Sequence, residues 1–141
     1  TDSPDWNNAF INFDYKDLFV APNYQVTELW YDNFSKYRLA YEGDTKDLSV
    51  TTTLSEDGRY IIVKVVNATD KPYQLAIQGN WKGISGGEYK YFAPGDLMIA
   101  NSMDKKDAVA LKNRPVDAVD NGMTLEVEPY SAGVLKIERT F

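Results

Sequence analysis

From residue 48 onward the chain alternates short apolar segments with turn clusters. Residues 48–54 (LSVTTTL) are β-branched and alternating, which predicts a half-buried strand. A Ser55-Glu56-Asp57-Gly58 turn follows, and residues 59–67 (RYIIVKVVN) carry the strongest strand signal of the chain. Their apolar run hardly alternates, which predicts burial on both faces or a central place in a sandwich. Residues 68–72 read as a turn that brings residues 73–77 (YQLAI) back to pair as the next strand. A glycine-rich passage, residues 79–87 (GNWKGISGG), leads to a short strand at 88–92. A Pro94-Gly95 break precedes another at 97–100. Near the end residues 123–128 (MTLEVE) alternate cleanly, Pro129-Tyr130-Ser131 interrupts, and residues 132–137 close the chain. Short strands at this spacing predict a mainly β fold, an antiparallel β-sandwich with jelly-roll or Greek-key-like connections.

The front of the chain follows a different period. Residues 9–13 (AFINF) read as a short strand, and residues 17–34 (DLFVAPNYQVTELWYDNF) as a helix that opens at Pro22, where a missing N–H is no loss. At helical steps Val26, Leu29, Trp30 and Phe34 fall on one arc, with Tyr24 and Tyr31 beside it. Only Gln25, Glu28 and Asp32 form a polar wedge. A helix on one core shows an apolar stripe a little over ~100° wide, whereas this band covers well over half the circumference. Such a helix expects neighbours on two sides. Burying the four arc residues contributes roughly 6–12 kcal/mol of transfer free energy, comparable to the net stability of a domain. The arc is therefore expected to fold back onto the sandwich or to mate with another copy of the chain.

Composition narrows the chemistry. With 141 residues the chain is one domain in size, and its 43% apolar and 26% charged residues make an ordinary globular composition. No apolar run approaches bilayer length, and the opening Thr1-Asp2-Ser3-Pro4 carries neither Met nor a targeting pattern. The expectation is a piece excised from a longer protein. A net charge of −6 without a basic cluster argues against nucleic acid and anionic membrane as partners. Cysteine and histidine are both absent, so no disulfide, thiolate nucleophile or imidazole base exists, and the redox compartment stays open. Catalysis here would have to run on carboxylates, Tyr or Lys.

Several groupings invite a chemical reading, and each has a plainer one. Glu126 and Glu128 share a strand face as a glycosidase pair would, yet alternation already places them on a solvated outer face. Asp14 with Asp17 reads as loop. Asn101, Asp104 and Asp107 offer oxygen ligands, but the glycine and distal Glu of a calcium loop are missing. No metal or cofactor is expected. The glycine-rich passage lacks the strand-to-helix context of a phosphate cradle. Its Trp81 either plugs the core or stands as a platform for a sugar ring. Asn33-Phe34-Ser35 and Asn67-Ala68-Thr69 match the glycosylation triplet, a pattern common by chance.

Three segments carry a family resemblance: residues 63–72 (VKVVNATDKP), 96–109 (DLMIANSMDKKDAV) and 125–137 (LEVEPYSAGVLKI). In this order they resemble the C-terminal β-sandwich domain of the α-L-arabinofuranosidases of glycoside hydrolase family 51. The matching positions are Asp96, Leu97, Asn101, Asp107, Ala108, Val109, Pro129, Ser131, Val134 and Leu135, and Lys106 departs from the family's proline. Residues 11–39 resemble the passage that closes the catalytic (β/α)₈ barrel of these enzymes, through Pro22, Tyr24, Val26, Leu29 and Asn33. The resemblance implies residues 1–38 as the end of a barrel and 39–141 as a C-terminal sandwich. It implies a non-catalytic fragment of a retaining enzyme that removes terminal α-L-arabinofuranosyl groups from plant polysaccharides. Its partners would be its own barrel and a second copy in a homo-oligomer, with Val26, Leu29, Trp30 and Phe34 as the docking or self-association face. Both catalytic glutamates of that family lie upstream of anything present here. The competing class is an autonomous carbohydrate-binding module, for which 10 Tyr and 3 Trp supply the aromatics. Two or three exposed coplanar rings would mark the module, and buried or patch-forming aromatics the bracing domain.

Overall fold

The computed structural model describes residues 11–13, 18–20, 22–79, 84–94, 110–119 and 122–139. A hairpin opens it, β1 (Ile11–Phe13) against β2 (Leu18–Val20), followed by α1 (Pro22–Asp32). The remaining strands are β3 (Tyr37–Leu39), β4 (Leu48–Leu54), β5 (Tyr60–Asn67), β6 (Tyr73–Gln78), β7 (Ile84–Phe92), β8 (Lys112–Asp117), β9 (Gly122–Val127) and β10 (Ser131–Arg139). One sheet has the order β3-β4-β5-β10-β7-β8 and another pairs β6 with β9, all antiparallel. The fold is mainly β, an antiparallel sandwich preceded by one helix, as the strand pattern predicts.

The core lies between the two sheets. Ile61, Val63 and Val65 of β5, Leu135 and Ile137 of β10 and Tyr89 and Tyr91 of β7 meet Met123, Leu125 and Val127 of β9. Eight of these, Ile61, Val63, Val65, Tyr89, Leu125, Val127, Leu135 and Ile137, are at most 2% exposed, and the aliphatic ones contribute about 1.5–3 kcal/mol each. Tyr89 fits because β10 carries Gly133 beneath it, where a Cβ would come within 2.6 Å of the ring. The unbroken apolar run of β5 has its explanation in α1. Odd-numbered residues of β5 face the second sheet, while Ile62, at 4% exposure, packs under the helix. β5 is also central in the sheet, between β4 and β10.

One pairing departs from expectation. Residues 73–77 do not return to β5; β6 pairs with β9, Leu75 opposite Leu125. The cause lies in the turn. Asn67 Nδ2 donates to Lys71 O at 2.7 Å and Glu128 O at 3.0 Å, and its Oδ1 accepts from Thr69 N and Oγ1. That knot, 1% exposed at Asn67, carries the chain across to the other sheet and ties it to the β9–β10 connection. There Tyr130, at φ 49°, donates its N–H to Thr69 O at 3.0 Å.

Candidate functional site

The helix lies on the outer face of the larger sheet. Leu29, 7% exposed, packs with Ile62, Phe92 and Val134, while Val26, Trp30 and Tyr60 flank them half-buried. Three of the four arc residues, Val26, Leu29 and Trp30, are thus turned onto the sandwich. Phe34 is not. It lies two residues past the last helical position, where Phe34 N donates to Tyr31 O at 3.1 Å, and it is 74% exposed. Tyr31, on the side of the helix away from the sheet, is 80% exposed. The site is a helix with one apolar side covered, Tyr31 bare on the other and Phe34 bare just past its end.

Lys64 joins the helix to the sheet. It projects from β5 on the same face as Ile62, and its Nζ donates to Trp30 O at 3.1 Å and stands 5.7 Å from the centre of the Trp30 ring. Burial lowers its pKa below the usual lysine value. Asn33 Nδ2 donates to Leu29 O at 2.9 Å, so the last turn is held from two directions. The sequence carried a signal for Lys64, since a lone cation inside the apolar run IIVKVV needs a partner on the outer face.

Beside the helix terminus the sheet leaves a groove of about 460 Å³ between Asn33, Tyr60, Gly87, Lys90 and Lys136. Its aromatic wall is not a bare platform, because Lys136 Nζ sits 4.2 Å from the Tyr60 ring centre and Arg59 5.6 Å. Glu138 pairs with Arg59 at 3.3 Å and Glu88 with Lys90 at 3.7 Å. The stacked aromatic pair Tyr89 and Tyr91, centroids 4.7 Å apart, lies in the core beneath Arg114, whose guanidinium is 5.4 and 5.1 Å from the two rings. Arg114 also donates to Glu126 O, clasping edge strand β8 to β9. Burial pushes the Tyr89 hydroxyl up to about 12.

Among the described residues the acidic groupings show no reaction geometry. Glu126 stands on the outer face of β9, and Glu128, past the strand end, meets Lys112 at 3.9 Å. Among the described residues no group of three acidic side chains is gathered that could hold a metal ion. Asn67 is enclosed, and Asn33 spends its amide on the helix, so both glycosylation triplets have their acceptor nitrogens engaged. Trp81, Asp14, Asp17, Asn101, Asp104 and Asp107 lie outside the described residues, as does the whole of the 96–109 segment.

Comparison with known proteins turns on the fold. No family model and no curated protein matches the chain. An arabinose-bound GH51 α-L-arabinofuranosidase superposes with a TM-score of 0.86 at 16% identity, over 96% of this chain and 22% of its own. The chain shares its fold with part of the GH51 arabinofuranosidases. The thermostable GH51 enzyme of Thermotoga petrophila RKU-1 gives 0.77 at 18% identity, over 91% of this chain and 31% of its own. That of Xanthomonas axonopodis pv. citri gives 0.73 at 13% identity, over 92% and 29%. A GH86 β-porphyranase from Bacteroides plebeius, at 0.61 and 16% identity over 89% of this chain, carries a related sandwich, so the fold extends to glycoside hydrolases beyond GH51. The resemblance read from the sequence thus returns as likeness of fold, with the chain spanning 22 to 31% of the length of these three GH51 structures.

Proposed function

We propose that this chain is the non-catalytic C-terminal domain of a GH51 α-L-arabinofuranosidase, joined at its front to the last helix of the catalytic (β/α)₈ barrel. The residues before β3 belong to the barrel end, and the sandwich begins at Tyr37, which already pairs with Leu54 in the larger sheet. One observation carries the reading: the sheet covers Val26, Leu29 and Trp30 of α1, while Tyr31 stands 80% exposed on the far side of the helix and Phe34 74% exposed just past its end. A barrel wall is a neighbour of the right chemistry for that side, and the sandwich then braces the barrel. A second copy of the chain is the alternative cover, which would make the same patch an oligomer interface. The parent enzyme removes terminal α-L-arabinofuranosyl groups from plant polysaccharides. The chain alone hydrolyses nothing, since the two glutamates of a retaining mechanism come from the barrel.

The test is expression of this chain together with the reading frame upstream of Thr1. Hydrolysis of para-nitrophenyl α-L-arabinofuranoside by the long product, and none by the 141-residue chain, supports the reading. An upstream frame without a barrel, or a long product inert on arabinofuranosides, rejects it. The second reading, a carbohydrate-binding module, draws on the exposed Tyr37 and Tyr41, 49% and 47% accessible near the β3 edge of the sheet. Retardation of the chain in arabinan or arabinoxylan gels, abolished by Tyr37→Ala, would favour it.

A further inference from the structure

We infer that Lys64 is the positioning residue that makes α1 a fixture of the sandwich, completing the helix terminus from the sheet so that helix and docking form together. The helix has no basic residue in its last turn, although its exposed carbonyls and dipole favour one there. The cation comes instead from β5, 34 residues further along the chain, with its Nζ 3.1 Å from Trp30 O. Tyr31 O is capped by Phe34 N and Leu29 O by the Asn33 amide, both contacts made within the same stretch of chain. The Lys64 bond, by contrast, is made only when the helix is seated on the sheet. An isolated helix of 11 residues is marginal in water, so it needs such a tertiary contact to persist.

The seating is also directional. Lys64 faces Val134 across the β5–β10 ladder, and Val134, 2% exposed, is one of the residues under Leu29. The apolar contacts of Leu29 tolerate sliding, because dispersion and burial have no direction. A charged hydrogen bond to one carbonyl does not, and the Trp30 ring closes over the same ammonium. Lys64 therefore sets the axial position and rotation of α1, and with them where Tyr31 and Phe34 are presented. This role holds whether the far side meets a barrel, a second copy or solvent.

The experiment is amide hydrogen exchange on the intact 141-residue chain. In Lys64→Met, which keeps an apolar stem of similar length, the amides of α1 exchange roughly tenfold faster while those of β5 and β10 keep their protection. Lys64→Arg restores the protection of α1. Unchanged exchange in α1, equal loosening of α1 and the sheet, or an arginine variant as fast as the methionine one each overturns the role. Should Lys64→Met not fold, ¹⁵N NMR of the wild-type lysine ammonium groups decides. A slowly exchanging Lys64 signal apart from the other lysines upholds the bond, and one merged with them removes it.

Discussion

The two apolar regions of this protein are built differently. Between the sheets, side chains from β5, β7, β9 and β10 enclose one another, and Val65, Leu125, Val127, Leu135 and Ile137 have no measurable exposure. Under α1, among the described residues, only Leu29, Ile62, Phe92 and Val134 are buried, and their neighbours Val26, Trp30 and Tyr60 are half-open. The first region is closed on itself among the described residues. The second is a joint, with one apolar layer, one directional bond from Lys64, and aromatic residues left over on the far side. The closed core and the seat of the helix thus lie on opposite faces of the same β5 strand.

The contrast can be broken from the inside out. Leu135→Ala in the closed core should cost about 3–5 kcal/mol, read as a lower denaturant midpoint for the whole domain. Leu29→Ala should cost less, about 2 kcal/mol, because a helix on an open face relaxes into the cavity. That loss should appear as roughly 30-fold faster proteolysis within residues 22–36, with the sheets still resistant. If the sheets are cleaved as readily as the helix, the two regions are one cooperative unit and the distinction fails.

Tyr89 tests the closed region electrostatically. Its folded pKa, about 12, lies above the ordinary 10.0, so the neutral phenol is favoured in the folded state. The associated stability is fully present below pH 10 and is lost as the pH rises through 12, about 2 kcal/mol by the latter. Tyr89→Phe should remove that part of the alkaline slope in pH-dependent unfolding while leaving neutral stability nearly unchanged, since among the described residues the hydroxyl has no partner at hydrogen-bonding geometry. The smallest effect is expected on the far side of the helix. Tyr31→Ser with Phe34→Ser should change unfolding free energy by less than about 0.5 kcal/mol, while sedimentation at high concentration shows less self-association. A large loss of stability there would mean that the bare aromatics already serve the fold.

The local elements were largely legible. The span 48–54 is the strand β4, because alternation with β-branched residues is a two-residue period that needs no partner to be seen. Pro22 marks the start of α1, and the unbroken apolar run of β5 announced a covering on both faces. Strand β8 escaped notice, since KNRPVD has a single large apolar residue and a proline, tolerable only on the sheet edge where the structure puts it. β3 escaped too, as three residues cannot establish a period. At the site, Val26, Leu29 and Trp30 could be read from the helical arc, while Phe34 left it because the helix stops at Asp32.

By itself the sequence determined most of the segments that extend, where α1 starts, and which of its residues, Val26, Leu29 and Trp30, share one apolar arc. These are properties of short range, set by side-chain period and backbone preference. Tertiary structure decided that β6 pairs with β9, that Asn67 knots the crossing between sheets, and that Lys64 caps a helix 34 residues behind it. Each of those depends on groups far apart in the chain becoming neighbours. No local pattern encodes that, because several pairings bury the same faces. The choice among them falls to which arrangement also satisfies the buried polar groups.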